Sequence, residues 1–242
     1  MIEVEQLAKT FGSVHAVDGI SFTVAPGEVF GLLGPNGAGK TTTLRILGTL
    51  LKPTGGSARV AGFDVATQGE EVRRRVGYLS ATTGVYDRMS AWEMVAYYGM
   101  LHGLRGEPLT ARLEELFAML RMNDFRDRRG GQMSTGMKQK VSIARALVHN
   151  PPVLIFDEPT TGLDVLVQRS VLRQIMRLRE LGKCILFSTH ILREVELLCD
   201  RIAVMAHGKI VAHGTANELR QLHNEPDLEE LFFKLVGADA EI

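Results

Sequence analysis

Nine residues constrain this chain more than any others: Gly34-Pro35-Asn36-Gly37-Ala38-Gly39-Lys40-Thr41-Thr42, set directly after the apolar run Val29-Phe30-Gly31-Leu32-Leu33. The order is strand, glycine-rich loop, helix. Gly34, Gly37 and Gly39 let backbone N–H groups close on phosphate oxygens without a Cβ in the way. A helix beginning at Lys40-Thr41 adds its positive end. In such a loop Lys40 reaches the β- and γ-phosphates and the Thr41 hydroxyl holds Mg²⁺. The first requirement on the fold is therefore an α/β layer that presents the loop at the carboxyl end of a strand.

The rest of the sequence agrees with such a layer. Short apolar runs alternate with helical patterns, which is the signature of a mostly parallel sheet covered by helices. Strands are expected at Ile2–Gln6, Ser21–Val24, Glu28–Leu33, Ser57–Val60, Arg75–Leu79, Val153–Asp157, Cys184–Ser188, Arg201–Ala206 and Lys209–His213. The first of these, with short links, form a small antiparallel layer. The helix after the loop is expected over Thr41–Leu51. Between about Trp92 and His149 the pattern changes: Ala91–His102, Leu109–Leu120 and Gly136–Val148 read as helices with no strand between them. Gly103 and Gly106-Glu107-Pro108 separate the first two, and Asn150-Pro151-Pro152 ends the third. A helical insert thus interrupts the α/β core. The expected division of the single domain 1–242 is a core of 1–88 and 151–215, a helical subdomain of 89–150 and a helical extension of 216–242. In that extension Leu228, Leu231, Phe232 and Leu235 share a helix face, expected to pack on the core.

Charge and cysteine content exclude some classes. Of the 242 residues, 28 are Lys or Arg and 28 are Asp or Glu, so no net positive charge favours nucleic acid. No apolar stretch approaches the roughly 20 residues that span a bilayer. Met1–Glu5 shows no basic region followed by an apolar core, so no signal peptide is expected. Cys184 and Cys199 form no CxxC pair and are expected as buried free thiols.

Two acids complete the phosphate chemistry. Val153-Leu154-Ile155-Phe156-Asp157-Glu158 is a buried strand ending in carboxylates, although buried parallel strands are nearly all apolar. Asp157 would take Mg²⁺ through its water shell, as in other P-loop nucleotide hydrolases. Glu158, one residue on and facing the other way, could polarise the water that attacks the γ-phosphate. A second apolar strand, Ile185-Leu186-Phe187-Ser188-Thr189, ends in His190 on the same predicted edge, where a ring N–H could reach the γ-phosphate.

With these residues in place the chain resembles an ABC-transporter ATPase subunit from Met1 to about Thr215. Phe11 stands where the family stacks an aromatic on adenine. Val153–Pro159 resembles the strand carrying the catalytic acid, and Thr161-Gly162-Leu163-Asp164 the dimer-contact loop after it. His190 matches the switch histidine. Met133-Ser134-Thr135-Gly136-Met137-Lys138-Gln139-Lys140 resembles the family signature that opens a helix. Ser134 is itself a good N-cap. In this family Ser134, Thr135 and Gly136 would close on the ATP held by the partner subunit's phosphate loop, clamping two ATP between two chains arranged head to tail. The resemblance implies a P-loop nucleotide-hydrolase core, ATP and Mg²⁺ as cofactors, a second copy and a separately encoded transmembrane permease as partners, no nucleic acid, and a place on the cytoplasmic face of the membrane. The docking groove would lie near Thr82–Trp92, with Tyr86 and Trp92 either contacts or core.

Two departures from the family pattern carry expectations. Met133, Thr135 and Met137 replace the first, third and fifth residues of Leu-Ser-Gly-Gly-Gln, and the Cβ of Thr135 at the phosphate implies moderate or slow turnover. Ala81 stands in place of a metal-binding glutamine and cannot ligate Mg²⁺ or orient water. The wording of Ser80–Glu93, of Met133–Lys140 and of Asp227–Phe232 resembles single-cassette sodium-efflux and drug-efflux ATPases. The implied function is ATP hydrolysis that drives efflux; the alternative is an ABC-type ATPase acting on ribosomes or DNA without a membrane partner. The basic clusters Arg73–Arg75 and Arg126/Arg128/Arg129 are read as solvated faces.

Overall fold

The structure, a computed structural model, describes residues 1–80 and 84–237. Ala81 and the neighbouring threonines therefore lie outside the described residues, and so does the expectation attached to them.

Two sheets form the core. The smaller is antiparallel, in the order β2 (Val14–Val24), β1 (Ile2–Phe11), β4 (Gly55–Val60), β5 (Phe63–Asp64). The larger has six strands in the order β10 (Lys209–Gly214), β9 (Arg201–Ala206), β3 (Val29–Leu33), β8 (Cys184–Thr189), β7 (Val153–Asp157), β6 (Val76–Leu79). All its neighbours run parallel except the β9–β10 hairpin. This is the α/β, mostly parallel architecture expected, with its small antiparallel layer. β1 and β2 are longer than the apolar pattern indicates, because their outer halves pair over bulges and carry polar residues.

The central strands β3 and β7 are buried along their whole length, as their unbroken apolar runs require. Their side chains alternate between two cores. Val153, Ile155, Leu186, Phe30 and Leu32 pack with the antiparallel sheet and helix α1 (Lys40–Leu47). Leu154, Phe156, Ile185 and Phe187 face the insert helices α3 (Ala91–Leu101), α4 (Gly106–Met119) and α5 (Thr135–Leu147), together with α6 (Val165–Glu180). A third cluster joins Leu33, Ile202 and Val204 to α7 (Leu192–Leu198), α8 (Ala216–Leu222) and α9 (Leu228–Val236). The short α2 (Gly69–Arg73) precedes β6. Leu228 and Leu231 of α9 are buried, so the tail packs on the core as its spacing indicates.

Some boundaries differ from expectation for local reasons. Helix α1 stops at Leu47, not Leu51. Thr49 adopts a left-handed φ of 61°, and its N–H and that of Leu50 bond back to Ile46 and Arg45, a Schellman closure with threonine in glycine's usual place. Helix α4 starts at Gly106, three residues early, and contains Pro108 in its first turn, where the missing N–H has no helical partner to lose. Helix α3 begins at a capping box, Ser90 with Glu93, which the apolar pattern locates correctly. Helices α2, α6, α7 and α8 and the short strand β5 were not among the expected elements.

The basic clusters prove to be surface chemistry. Arg74 and Arg75 pair with Glu70 and Glu71 within one turn, and Arg75 also covers the Phe63 ring. Arg126 lies 4.0 Å over Trp92, which also meets Phe117 edge-on. Trp92 is thus packed against the insert core, whereas Tyr86 is half exposed. Of the two thiols, Cys184 is buried and Cys199 partly so, and burial holds both well above the ordinary thiol range.

Candidate active site

The loop after β3 is shaped by contacts that admit only glycine. A Cβ at Gly34 would stand 2.4 Å from the Met205 carbonyl oxygen, and one at Gly39 2.4 Å from that of Ala16. Gly39 also carries a φ of 104° and forms the N-cap of α1. Strand β9 and the Ala16 region therefore press the loop into place from outside. The resulting cleft of about 130 Å³ is lined by Ala16, the loop from Asn36 to Gly39, Lys40, Thr41, Thr42 and Glu158.

Lys40 is only 4 % exposed. Its ammonium donates to the carbonyls of Gly34 (2.6 Å) and Pro35 (3.0 Å) and lies 3.4 Å from Glu158 Oε1. Burial lowers its pKa, a pull opposed by Glu158 and Asp157. A buried cation held by two carbonyls and a carboxylate is prepared for an anion.

The two acids depart from simple strand alternation. β7 ends at Asp157, and Glu158 turns left-handed, with a φ of 49°. Its N–H is held by the Ser188 carbonyl (3.2 Å) and hydroxyl (3.1 Å). The turn brings both carboxylates to the same loop instead of opposite faces. Asp157 accepts from the Thr41 hydroxyl at 3.0 Å and the Ser188 hydroxyl at 2.8 Å. Glu158 meets Lys40, the Thr161 hydroxyl (3.1 Å) and His190 Nδ1 (3.4 Å). Burial pushes the Glu158 carboxyl upward, but Lys40, His190 and Thr161 outweigh it and hold it below the usual range. His190, 41 % exposed in its side chain, thus joins the cleft from the end of β8.

Mg²⁺ fits this donor set. Thr41 and Asp157 offer hard oxygens side by side, and among the described residues no group of three or more His, Cys, Asp or Glu competes as a metal cage. Mg²⁺ is bound in that style, by one or two protein oxygens with substrate phosphates and water.

The remaining sequence-predicted residues lie elsewhere. Phe11, 47 % exposed, closes β1 with Lys9 Nζ 5.0 Å from its ring. Ser134 caps α5 by accepting the Met137 N–H at 3.3 Å. Thr135 and Gly136 form the first turn, where a Cβ on Gly136 would press on Val167 at 2.8 Å. Ser134 and Gly136 border a groove of about 410 Å³ that shares no lining residue with the phosphate cleft. Asp164 caps α6, accepting from Leu166 and Val167 at 3.0 Å. Gln139 of α5 donates to the Pro159 carbonyl at 2.5 Å, tying the insert to the turn after Glu158.

Ser188 is a site residue that sequence reasoning missed. It holds both Asp157 and the Glu158 backbone. The sequence shows only a hydroxyl beside that of Thr189 at the end of an apolar run, and the pairing that brings it to Asp157 is not local.

Comparison with known proteins gives the family. Residues 17–161 match the family model described as ABC transporter. The chain is 45 % identical over 225 residues to the ABC transporter ATP-binding protein NatA of Bacillus subtilis, covering 92 % of each. It is 40 % identical to the daunorubicin/doxorubicin resistance ATP-binding protein DrrA of Streptomyces peucetius, over 90 % of this chain and 66 % of that one. Among solved structures, an ATP-binding subunit of an ABC transporter superposes with a TM-score of 0.88 at 32 % identity, covering 97 % of this chain and 99 % of the other. A dimeric ATP-binding cassette in a post-hydrolysis state with ADP and Pi superposes at 0.80 and 26 % identity, covering 89 % and 98 %. No helix among the described residues is long and apolar enough to cross a membrane. The matched model spans more than half the chain and the relatives nearly all of it, so the chain belongs to the ATP-binding ATPase subunits of ABC transporters.

Proposed function

We propose that this ATPase is the motor of an exporter: two copies close head to tail around two Mg·ATP and drive a separately encoded permease from the cytoplasmic face of the membrane. The cargo on this reading is sodium ions or a drug-like molecule; the similarity to the daunorubicin/doxorubicin resistance protein DrrA supports the second. The observation that carries the catalytic half is that Lys40, Thr41 and Glu158 line one small cleft, with Asp157 bonded to Thr41 and His190 against Glu158.

Each residue has a derived task. Backbone N–H groups from Gly34 to Thr42, with Pro35, Asn36 and Ala38 shaping the turn, cradle the phosphates at the start of α1. Lys40 exchanges its contact with Glu158 for the β- and γ-phosphates. Glu158, released from that ammonium, regains basicity and accepts the proton of the attacking water. His190 donates to the γ-phosphate from the cleft rim. Thr41 and Asp157 would hold Mg²⁺, which when bound neutralises charge on the phosphate oxygens. Phe11 offers its exposed ring to adenine.

The second half of the site comes from a twin. Ser134, Thr135 and Gly136 open α5, whose N-terminus attracts anions, in a groove separate from the chain's own phosphate cleft. One chain alone does not bring the two together, and Asp164 would join the contact between copies. Dimeric relatives support the arrangement. On this reading the units are the core 1–88 and 151–215, the helical subdomain 89–150 that carries Ser134, and the extension 216–242. Glu158→Gln, which keeps the shape and removes the base, should bind ATP, hydrolyse it slowly and elute as a dimer in size-exclusion chromatography with ATP. A variant that stays monomeric at saturating ATP and Mg²⁺ counts against the head-to-tail clamp.

A further inference from the structure

Tyr78 is not among the residues assigned above, yet its hydroxyl lies beside one of them. Strand β6 is the edge of the large sheet, and Tyr78 pairs with Ile155 of β7. Side chains alternate along a strand, so Tyr78 shares a face with Ile155 and, two residues further, with Asp157. That face packs on α1: Tyr78 lies against the cluster that includes Leu44, Leu47, Val153 and Ile155. Gly48, just past α1, makes room for the ring, because a Cβ there would stand 2.8 Å from Tyr78 Cδ2.

The hydroxyl itself is buried and makes no hydrogen bond among the described residues, with Arg45 and Asp157 as its polar neighbours. Burial first, and the Asp157 charge second, hold it protonated far above its ordinary range, against a weaker opposing pull from Arg45. It is a hydroxyl on the same sheet face as the Asp157 carboxylate. The Oδ1 atom of that carboxylate is already used by Thr41 and Ser188. Native structures rarely leave a buried hydroxyl unpaired, and one that is calls for an explanation such as a role in catalysis.

We propose that Tyr78 is a positioning residue for ATP hydrolysis: its hydroxyl donates to Asp157 when that carboxylate takes up Mg²⁺, fixing the carboxylate's orientation at the cleft. The proposal rests on the assignment of Asp157 as a metal-holding residue. It gives β6 a direct mechanical link to the site, because movement of the edge strand would carry the hydroxyl toward or away from Asp157.

The test is Tyr78→Phe, which keeps the ring on Gly48 and removes only the oxygen. Mn²⁺ serves as the paramagnetic stand-in, titrated by EPR against protein bound to a non-hydrolysable ATP analogue. Mn²⁺ affinity should fall about tenfold, the size expected for one hydrogen bond to a charged group. Binding of the analogue without metal should not change. The melting temperature without nucleotide should hold or rise, since no hydrogen bond is lost in that state. A purely structural hydroxyl would give the opposite split, a lower melting temperature with Mn²⁺ affinity within about twofold of wild type, and that result overturns the proposal. Asp157→Asn separates the two readings. If it weakens Mn²⁺ binding while Tyr78→Phe does not, only the role of Tyr78 fails. If it leaves Mn²⁺ binding intact, the metal assignment fails and the Tyr78 proposal with it.

Discussion

Lys40 shows how much one buried charge can organise. Two backbone carbonyls and Glu158 hold its ammonium, and Glu158 is in turn held by His190 and Thr161. Before nucleotide arrives, base and cation neutralise each other inside the cleft, which avoids the cost of an unpaired buried charge. Replacing Lys40 with alanine removes the ammonium that meets the phosphates and leaves Glu158 without its nearest counter-charge. ATP turnover should fall by a factor of about 10² or more, as for removal of other transition-state charge partners. A steady-state ATPase assay checks this, and unchanged turnover would remove Lys40 from the mechanism. Residue chemistry of this kind was readable in advance. Glycine spacing, the lysine at the helix start and the acids at a strand end each have one economical physical use. Ser188 was not readable, because its importance lies in reaching Asp157 across two adjacent strands.

At the scale of the element, α5 has two separable properties at its N-cap. Ser134 satisfies the Met137 N–H and so caps the helix. Its proposed second use is to meet phosphate on a twin chain. Ser134→Ala loses both and should cost about 1 kcal/mol of stability. Ser134→Asp keeps a capping oxygen and suits the helix dipole, but sets a negative charge against phosphate. The aspartate variant should therefore melt near the wild-type temperature yet fail to form an ATP-dependent dimer, as read by calorimetry and light scattering together. If it dimerises normally with ATP, Ser134 is only a cap. The same double reading applies to Asp164, whose side chain is fully explained as the cap of α6 within one chain.

At the scale of the molecule, the insert meets the core where His102, at the end of α3, stacks on His149, just after α5. The rings are 3.6 Å apart and within 1° of parallel. His149 Nε2 bonds the Val76 carbonyl at 3.1 Å, so the neutral ring donates there. Burial pushes its pKa down to about 4, with His102, Arg112 and Lys183 adding like charge against the Val76 carbonyl. A lowered pKa means the unfolded chain takes up the proton first. Stability should be fully present above the ordinary histidine range and be lost as pH falls from about 6.5 toward about 4. Thermal melts across that range, in wild type and in His149→Asn, check the sign: the variant's pH dependence should be flatter. Equal slopes would exclude the stack as the source.

The phosphate loop, the acidic strand end, the parallel core and the helical character of the insert are all legible along the chain. Each of these is written in local spacing: glycine against backbone, apolar period against buried face. How separate strand ends come to share one cleft is set by long-range packing instead. The left-handed turn at Glu158 depends on the Ser188 carbonyl and hydroxyl of the neighbouring strand. The early stop of α1 places Gly48 under Tyr78. The ring stack between His102 and His149 joins residues 47 positions apart. Such features arise from contacts between segments distant in the chain, which no local pattern encodes.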